Sequence, residues 1–445
     1  MMRAMSQAPK KLAILVGGGP APGINGVIAS VTIDAINKHG MEVVGFRNGF
    51  RHLVEGSTKH NGKLTVEDVA PYYMRGGSIL GTSRTNPAKK EEDMQRVLKV
   101  FADMGITALV TIGGDDTAYS ASQVAKRVGP GAPRGPGNNP IMRVCHVPKT
   151  IDHDLPLPEG TPTFGFETAR FLGSLTTRAL HADAKTTGRW YIIISMGRAA
   201  GHLALGIGKS SASTITIIPE EFRGAQVTLE GVCDLIIGAI LKRKREGKDY
   251  GVAVLAEGLI ESIGEKGLIS ALGGEEKLKL FGNLERDPHG HLRLGELEFG
   301  RMVKETLKKR LKDLGLKVDF IDKDLGYELR SADPIPFDLE YTRDLGFGAL
   351  KFLSSEMATQ FGAIISFVGG RLMPLSFESM IIPESQRMRP RKVNVDSESF
   401  QCARRYMIRF ESGDFTDSNR LAELAKLTNL TPDQFRDRFQ AIAQI

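Results

Sequence analysis

Short apolar runs recur along the chain, at 12-LAILV-16, 107-TALVTI-112, 141-IMRVCHV-147, 190-WYIIIS-195, 251-GVAVLA-256 and 362-GAIISFV-368. Most are continuous rather than alternating, as a parallel strand covered on both faces requires. Elsewhere apolar residues take up helical spacing. Ala118, Ala121, Ala125 and Val128 keep an i, i+3, i+4 rhythm, and Phe299, Val303, Leu307, Leu311 and Leu314 form a stripe stopped by Gly315. Strands alternating with helices predict crossover units and a doubly wound α/β sheet. Ligands of such sheets gather beyond the carboxyl ends of the strands, so chemistry is expected directly after each apolar run.

Composition narrows the classes. At 445 residues with 41% apolar residues, the chain is long enough for two globular domains. Many of its 50 glycines follow apolar runs, which indicates turns at strand ends. A net charge of +7 suits an anionic ligand. The basic run 242-KRKREGK-248 lacks the aromatic partners of a nucleic-acid surface and is expected to be a solvated helix end, so no nucleic-acid partner is expected. Cys145, Cys233 and Cys402 are odd in number, far apart and without metal-ligand spacing, which argues against a disulfide framework and structural zinc. No run has the length of a spanning helix, so no membrane is expected and a cytoplasmic location is. The segment 129-GPGAPRGPGNNP-140 is expected to be an inserted surface loop, and the polar tail beyond about residue 386 is expected to be helical.

Four places after strands carry unusual chemistry. The turn 17-GGGPAPGIN-25 presents unpaired amides at a helix start, a natural anion site, although a tight strand-helix turn would read the same way. It lacks the third glycine of a dinucleotide fingerprint, where Pro22 stands, and the Lys-Ser/Thr ending of a P-loop. In 76-GGSILGTSRTN-86, Arg84 follows two glycine turns and can clamp a phosphate. In 111-TIGGDDTAYSA-121, Asp115 and Asp116 suit either Mg²⁺ or a helix cap. The stretch 147-VPKTIDHDL-155 offers a cation, a hydroxyl and two carboxylates; Asp152 and Asp154 share a side if the segment is extended. One carboxylate can accept a proton from a sugar hydroxyl while Lys149 bears on a transferring phosphate.

Together with 196-MGRAAGHLAL-205, 256-AEG-258 and 326-GYELRSADPIPFD-338, these motifs resemble the phosphofructokinase family from residue 12 to about 385. The resemblance implies two doubly wound domains with largely parallel sheets and an active site in the cleft between them. Residues 1–164 with about 334–385 would serve the phosphoryl donor and Mg²⁺, and 165–333 with about 386–445 would serve fructose 6-phosphate and carry a helical C-terminal extension. Within the family the chain is similar to the pyrophosphate-using branch. The ATP-using branch has glycine where Asp116 and Lys149 stand, leaving room for the nucleotide, and an ATP-dependent enzyme is the alternative. The aspartate would occupy the place and charge of the α-phosphate of ATP and repel it, while Lys149 keeps pyrophosphate acceptable. NAD and lipid kinases share a glycine-aspartate loop but lack the other motifs, and a phosphate sensor without catalysis would lack a base such as Asp152.

Carried over residue by residue, the resemblance makes Asp152 the proton acceptor from the C1 hydroxyl and Asp115 the Mg²⁺ ligand. Gly19 and Arg84 would contact the donor, and Thr150 would help seat the sugar, with Asp154 in support. Met196, Gly197, Arg198 and Glu257 would contact the sugar phosphate, with Tyr327 and Arg330 at its 6-phosphate end and Lys323 as a further candidate there. Arg189 would reach the 6-phosphate from a neighbouring subunit, which implies a homodimer or homotetramer with shared sites. Two positions depart from the ATP-using pattern: Pro20 replaces an aspartate and Tyr327 a histidine.

Overall fold

The computed structural model describes residues 9–129, 132, 141–286, 292–382, 387–388 and 390–445. Of the expected loop at 129–140, all but Gly129 and Ala132 lies outside the described residues. The chain divides into two compact units, Met1–Ala169 with Tyr327–Arg391 and Arg170–Gly326 with Lys392–Ile445.

The first unit is built on a mostly parallel sheet. Strands Ala363–Ile364, Arg143–Thr150, Ala108–Gly113, Lys11–Val16 and Glu42–Phe46 lie in that order, all parallel. Antiparallel Leu375–Ser376 and Asn61–Lys63 flank them, and Phe164–Gly165 pairs in parallel with Lys149 and Thr150. Leu12 to Val16 are wholly buried, which accounts for their unbroken apolar run. From Lys11–Val16 the chain winds outward to Glu42–Phe46 on one side and returns to Ala108–Gly113 on the other. Sheets with such a reversal bind ligands beyond the carboxyl ends of the two central strands, and here Val16 stands level with Ile112 at those ends.

Two expectations need correction here. The strand expected over 141–147 continues to Thr150, because its last two residues gain a partner in Phe164–Gly165. Lys149 therefore belongs to the strand rather than to the loop after it. The run 362–368 is split: Ala363–Ile364 joins the sheet, while Phe367–Val368 folds into a hairpin with Arg371–Leu372. Gly369 and Gly370, with φ of 56° and 74°, form its two-residue turn, and both conformations favour glycine.

The second unit has a wholly parallel sheet in the order Phe320–Leu325, Trp190–Ser195, Gly251–Ala256, Ile215–Ile217. Trp190 faces Gly251 across the ladder, where an added Cβ would lie 2.5 Å from the indole. The helix Phe299–Asp313 buries the predicted stripe through Leu311, and Gly315 follows with φ 77°. The basic run 242–248 ends the helix Leu229–Arg245, but two of its members are not simply solvated. Lys242 pairs with buried Asp414 at 2.8 Å, and Arg243 donates to the carbonyl of Tyr250 while lying over its ring. The tail is helical at Glu398–Tyr406, Ser418–Ala425 and Pro432–Phe439. Between and within those helices Phe410, Phe415, Phe435 and Phe439 join the core of this unit, with Phe410 packed on Gly238. No helix among the described residues is long and apolar enough to cross a membrane.

Candidate active site

Two glycine turns leave the central strands of the first unit side by side. Gly17 donates to the carbonyl of Ile112, and Gly18, at φ 80°, donates to Ser83 at 2.9 Å. Thr82 returns a hydrogen bond to the Gly18 carbonyl at 2.7 Å. This fastens the segment carrying Arg84, which is exposed, along the first turn. Thr117 is wedged between the turns: a Cβ on Gly17 would meet its hydroxyl at 2.3 Å, and one on Gly113 would lie 2.4 Å from its Cβ. Both glycines are required by that close approach.

The second turn opens the helix Asp115–Val128, with Gly114 as its cap residue. Asp115 is half-buried and Asp116 exposed in the first helical turn, where the helix dipole favours negative charge. In the strand Arg143–Thr150, His146 is fully buried, with Nδ1 2.8 Å from the Thr111 hydroxyl and Nε2 2.9 Å from the carbonyl of Gly113. Burial pushes its pKa down to about 3, so the ring is neutral. Neutral imidazole then donates through Nε2 and accepts at Nδ1, which fixes the Gly113 carbonyl.

Lys149 is buried, and its ammonium donates to the carbonyl of Gly19. Burial lowers its pKa to about 8; Asp152 and Asp154 oppose the shift, whereas Arg330 and Arg84 add to it. Lys149, Arg84 and Arg330 thus set three cations around the Gly18–Gly19 turn, with two carboxylates within electrostatic range. Arg330 lies over the ring of Tyr327 at 4.6 Å, and its guanidinium is 3.3 Å from where a Cβ on Gly19 would stand. Within its unit, Arg330 therefore sits at the glycine turn expected to contact the donor.

Beyond Thr150 the chain turns rather than extends. His153 has φ 58°, its ring stacks on Phe166 at 4.5 Å, and its Nδ1 lies 2.9 Å from the Thr163 hydroxyl. The extended geometry assumed for Asp152 and Asp154 is therefore not adopted. Instead Thr150 donates to Asp154 at 2.9 Å and accepts from the Asp152 N–H at 3.0 Å, so one hydroxyl braces both acids. Asp338, wholly buried, accepts from the N–H groups of Gly165 and Thr168 and from the Thr168 hydroxyl, capping the helix Phe166–Thr187.

In the second unit the ends of three strands converge. Ser195 is level with Ala256 on one side and Leu325 on the other, which brings Met196–Arg198 beside Glu257. Glu257 accepts from the Gly197 N–H at 3.1 Å and lies 3.4 Å from the Arg198 guanidinium. Gly197 has φ 134°, and Gly258 approaches so closely that a Cβ would lie 2.5 Å from the Arg198 carbonyl. Lys323 is exposed in the strand between Asp322 and Asp324. Arg189 precedes Trp190 and so lies at the opposite end of this strand, about 20 Å from Met196 at the usual rise per residue. It does not join the group at Glu257.

Sequence reasoning missed Thr117, His146, Asp338 and Arg391. Thr117 and Asp338 lay inside recognised motifs, and the glycines beside Thr117 were the available signal. Arg391 left none; its side chain donates to the carbonyls of His153 and Thr161.

The family model for phosphofructokinase matches residues 11–353. The chain belongs to the phosphofructokinase family. Among curated phosphofructokinase relatives it is 49% identical over 430 residues to the pyrophosphate--fructose 6-phosphate 1-phosphotransferase of Thermotoga maritima, covering 97% of this chain and 98% of that one. It is 47% identical to the enzyme of the same name from Naegleria fowleri, over 97% and 96% of the two chains. Among solved structures, the pyrophosphate-dependent phosphofructokinase from Nitrosospira multiformis shares the fold with a TM-score of 0.62 at 17% identity, covering 96% of each chain. Phosphofructokinase from Saccharomyces cerevisiae gives 0.63 at 19% identity, over 97% of this chain and 50% of that one. The alignment with the Thermotoga maritima relative covers 97% of the chain and so runs past residue 353, where the family model ends.

Proposed function

We propose that this phosphofructokinase transfers a phosphoryl group reversibly from pyrophosphate to the C1 hydroxyl of fructose 6-phosphate, giving fructose 1,6-bisphosphate and phosphate. The observation that carries this reading is the buried ammonium of Lys149 at the Gly19 carbonyl, in the family whose curated members at 47–49% identity are named for pyrophosphate. A buried, poorly hydrated cation interacts more strongly with phosphate oxygens than an exposed one does. Arg84 and Arg330 extend the positive field along the turn, and the amides of Gly18 and Gly19 border it.

The carboxylates divide the remaining work. Asp152 accepts the C1 proton as the sugar oxygen attacks, and the Thr150 hydroxyl and Asp154 hold that turn in place. Asp116, exposed at the helix start, puts a fixed negative charge where a longer nucleotide would have to run. Asp115, half-buried beside it, would hold Mg²⁺. One carboxylate suffices, since this ion binds through one or two carboxylates together with substrate phosphates. When bound, the ion supplies neutralisation of the diphosphate charge.

The second unit binds the sugar phosphate. Met196–Arg198 and Glu257 of that unit contact the sugar phosphate, with Lys323 as a further cation. Arg189 is taken to act in a neighbouring subunit of a homodimer or homotetramer, as the family resemblance implies, and its distance from Met196 within its own unit is compatible with that. The protein works in the cytoplasm, in glycolysis and its reversal.

Purified protein incubated with fructose 6-phosphate, Mg²⁺ and either pyrophosphate or ATP tests the reading by formation of the bisphosphate. Turnover with pyrophosphate is the expected result, and turnover with ATP alone would assign the chain to the ATP-using branch.

A further inference from the structure

Resting on that functional reading, we infer that Arg391 is a positioning residue for phosphoryl transfer, acting through the turn that carries Asp152. Its Nε donates to the carbonyl of His153 at 3.1 Å and its Nη1 to the carbonyl of Thr161 at 3.0 Å, while its backbone N–H donates to the carbonyl of Asp154 at 2.7 Å. The carbonyls of both residues that follow the proton acceptor are therefore held by one arginine. The turn needs holding because His153 occupies the left-handed region, which a residue with a Cβ adopts at a cost. The planar guanidinium reaches two carbonyls on different parts of the loop with a fixed spacing between its donors, which a lysine cannot reproduce. Burial lowers the pKa of Arg391, and Asp154 opposes that shift, which places the cation within electrostatic range of Asp154.

The next residues along the chain hold a different loop. Lys392 donates to the carbonyl of Ala199, and the N–H of Val393 donates to Glu220 at 3.2 Å, whose Oε1 also accepts from Gly201. These contacts belong to the second unit, just after Met196–Arg198. A displacement of about 1 Å at a reacting group can cost on the order of 10²-fold in rate, so the expected signature lies in kcat.

Steady-state kinetics on the full-length protein with pyrophosphate and fructose 6-phosphate test this, comparing Arg391→Ala and Arg391→Lys with the unsubstituted chain. The expected result is a kcat lowered by about 10–100-fold in Arg391→Ala, with both KM values within about threefold and partial recovery on adding guanidinium ion. Arg391→Lys, which keeps the charge but loses the fork, should lose kcat in the same way, and it carries the test if the alanine variant does not fold. Unchanged kcat in the lysine variant, or an effect confined to KM in either variant, overturns the assignment. If the unsubstituted protein does not turn over pyrophosphate, the functional reading fails; if it does and the variants match it, only the positioning role fails.

Discussion

The ammonium of Lys149 rests on the carbonyl of Gly19, 130 residues earlier in the chain, with both groups at the carboxyl edge of one sheet. The contact ties the last residues of the strand Arg143–Thr150 to the first glycine turn, and burial holds the lysine pKa near 8.

That pKa predicts a pH dependence. Because the folded value is depressed, the ammonium is lost as pH rises through about 8, and kcat/KM for pyrophosphate should fall by about tenfold per pH unit above it. Bound diphosphate favours the charged form, so kcat should hold to higher pH than kcat/KM does. Lys149→Met should abolish this limb and lower kcat by about 10²–10³-fold, measured by pH-dependent kinetics.

Donor choice is expected to follow Asp116 and Lys149 together. Replacing both by glycine should raise kcat/KM for ATP relative to pyrophosphate. The ratio of the two values for the double variant checks this, and an unchanged ratio counts against the charge at residue 116 as a barrier to nucleotides.

Asp152→Asn should reduce kcat by about 10²–10⁴-fold, because the amide cannot accept the C1 proton. The brace of the turn on Thr150 should survive the substitution. The backbone N–H of Asp152, not its carboxylate, makes the bond to Thr150 that braces the turn.

The aromatic tail contributes to folding. Phe410 lies 5.2–5.7 Å from the rings of Phe415, Phe435 and Phe439. Phe410→Ala should therefore destabilise the protein by about 3–5 kcal/mol, measured by urea denaturation, with the donor preference of the folded enzyme unchanged.

The strands that were legible in the sequence are those buried on both faces, such as Trp190–Ser195 and Gly251–Ala256, whose bounds match the apolar runs. Phe320–Leu325 was not, because as an edge strand it carries Asp322, Lys323 and Asp324, which hide the apolar pattern. The glycine turns could be located because close backbone approach dictates their composition. The arrangement at Asp152 and Asp154 could not, since a single left-handed residue, His153, replaced the alternation that an extended chain would have had. Arg391 was invisible for a different reason. It recognises main-chain carbonyls 230 and 238 residues away, and carbonyls leave no mark in a sequence.

Thr117 has a practical bearing on redesign of the two glycine turns. Its side chain leaves no volume at Gly17 or Gly113, so bulk added at either position would push back the helix that presents both aspartates. Anyone seeking a new phosphate donor should leave this threonine and its two glycine neighbours untouched and vary the charged rim instead.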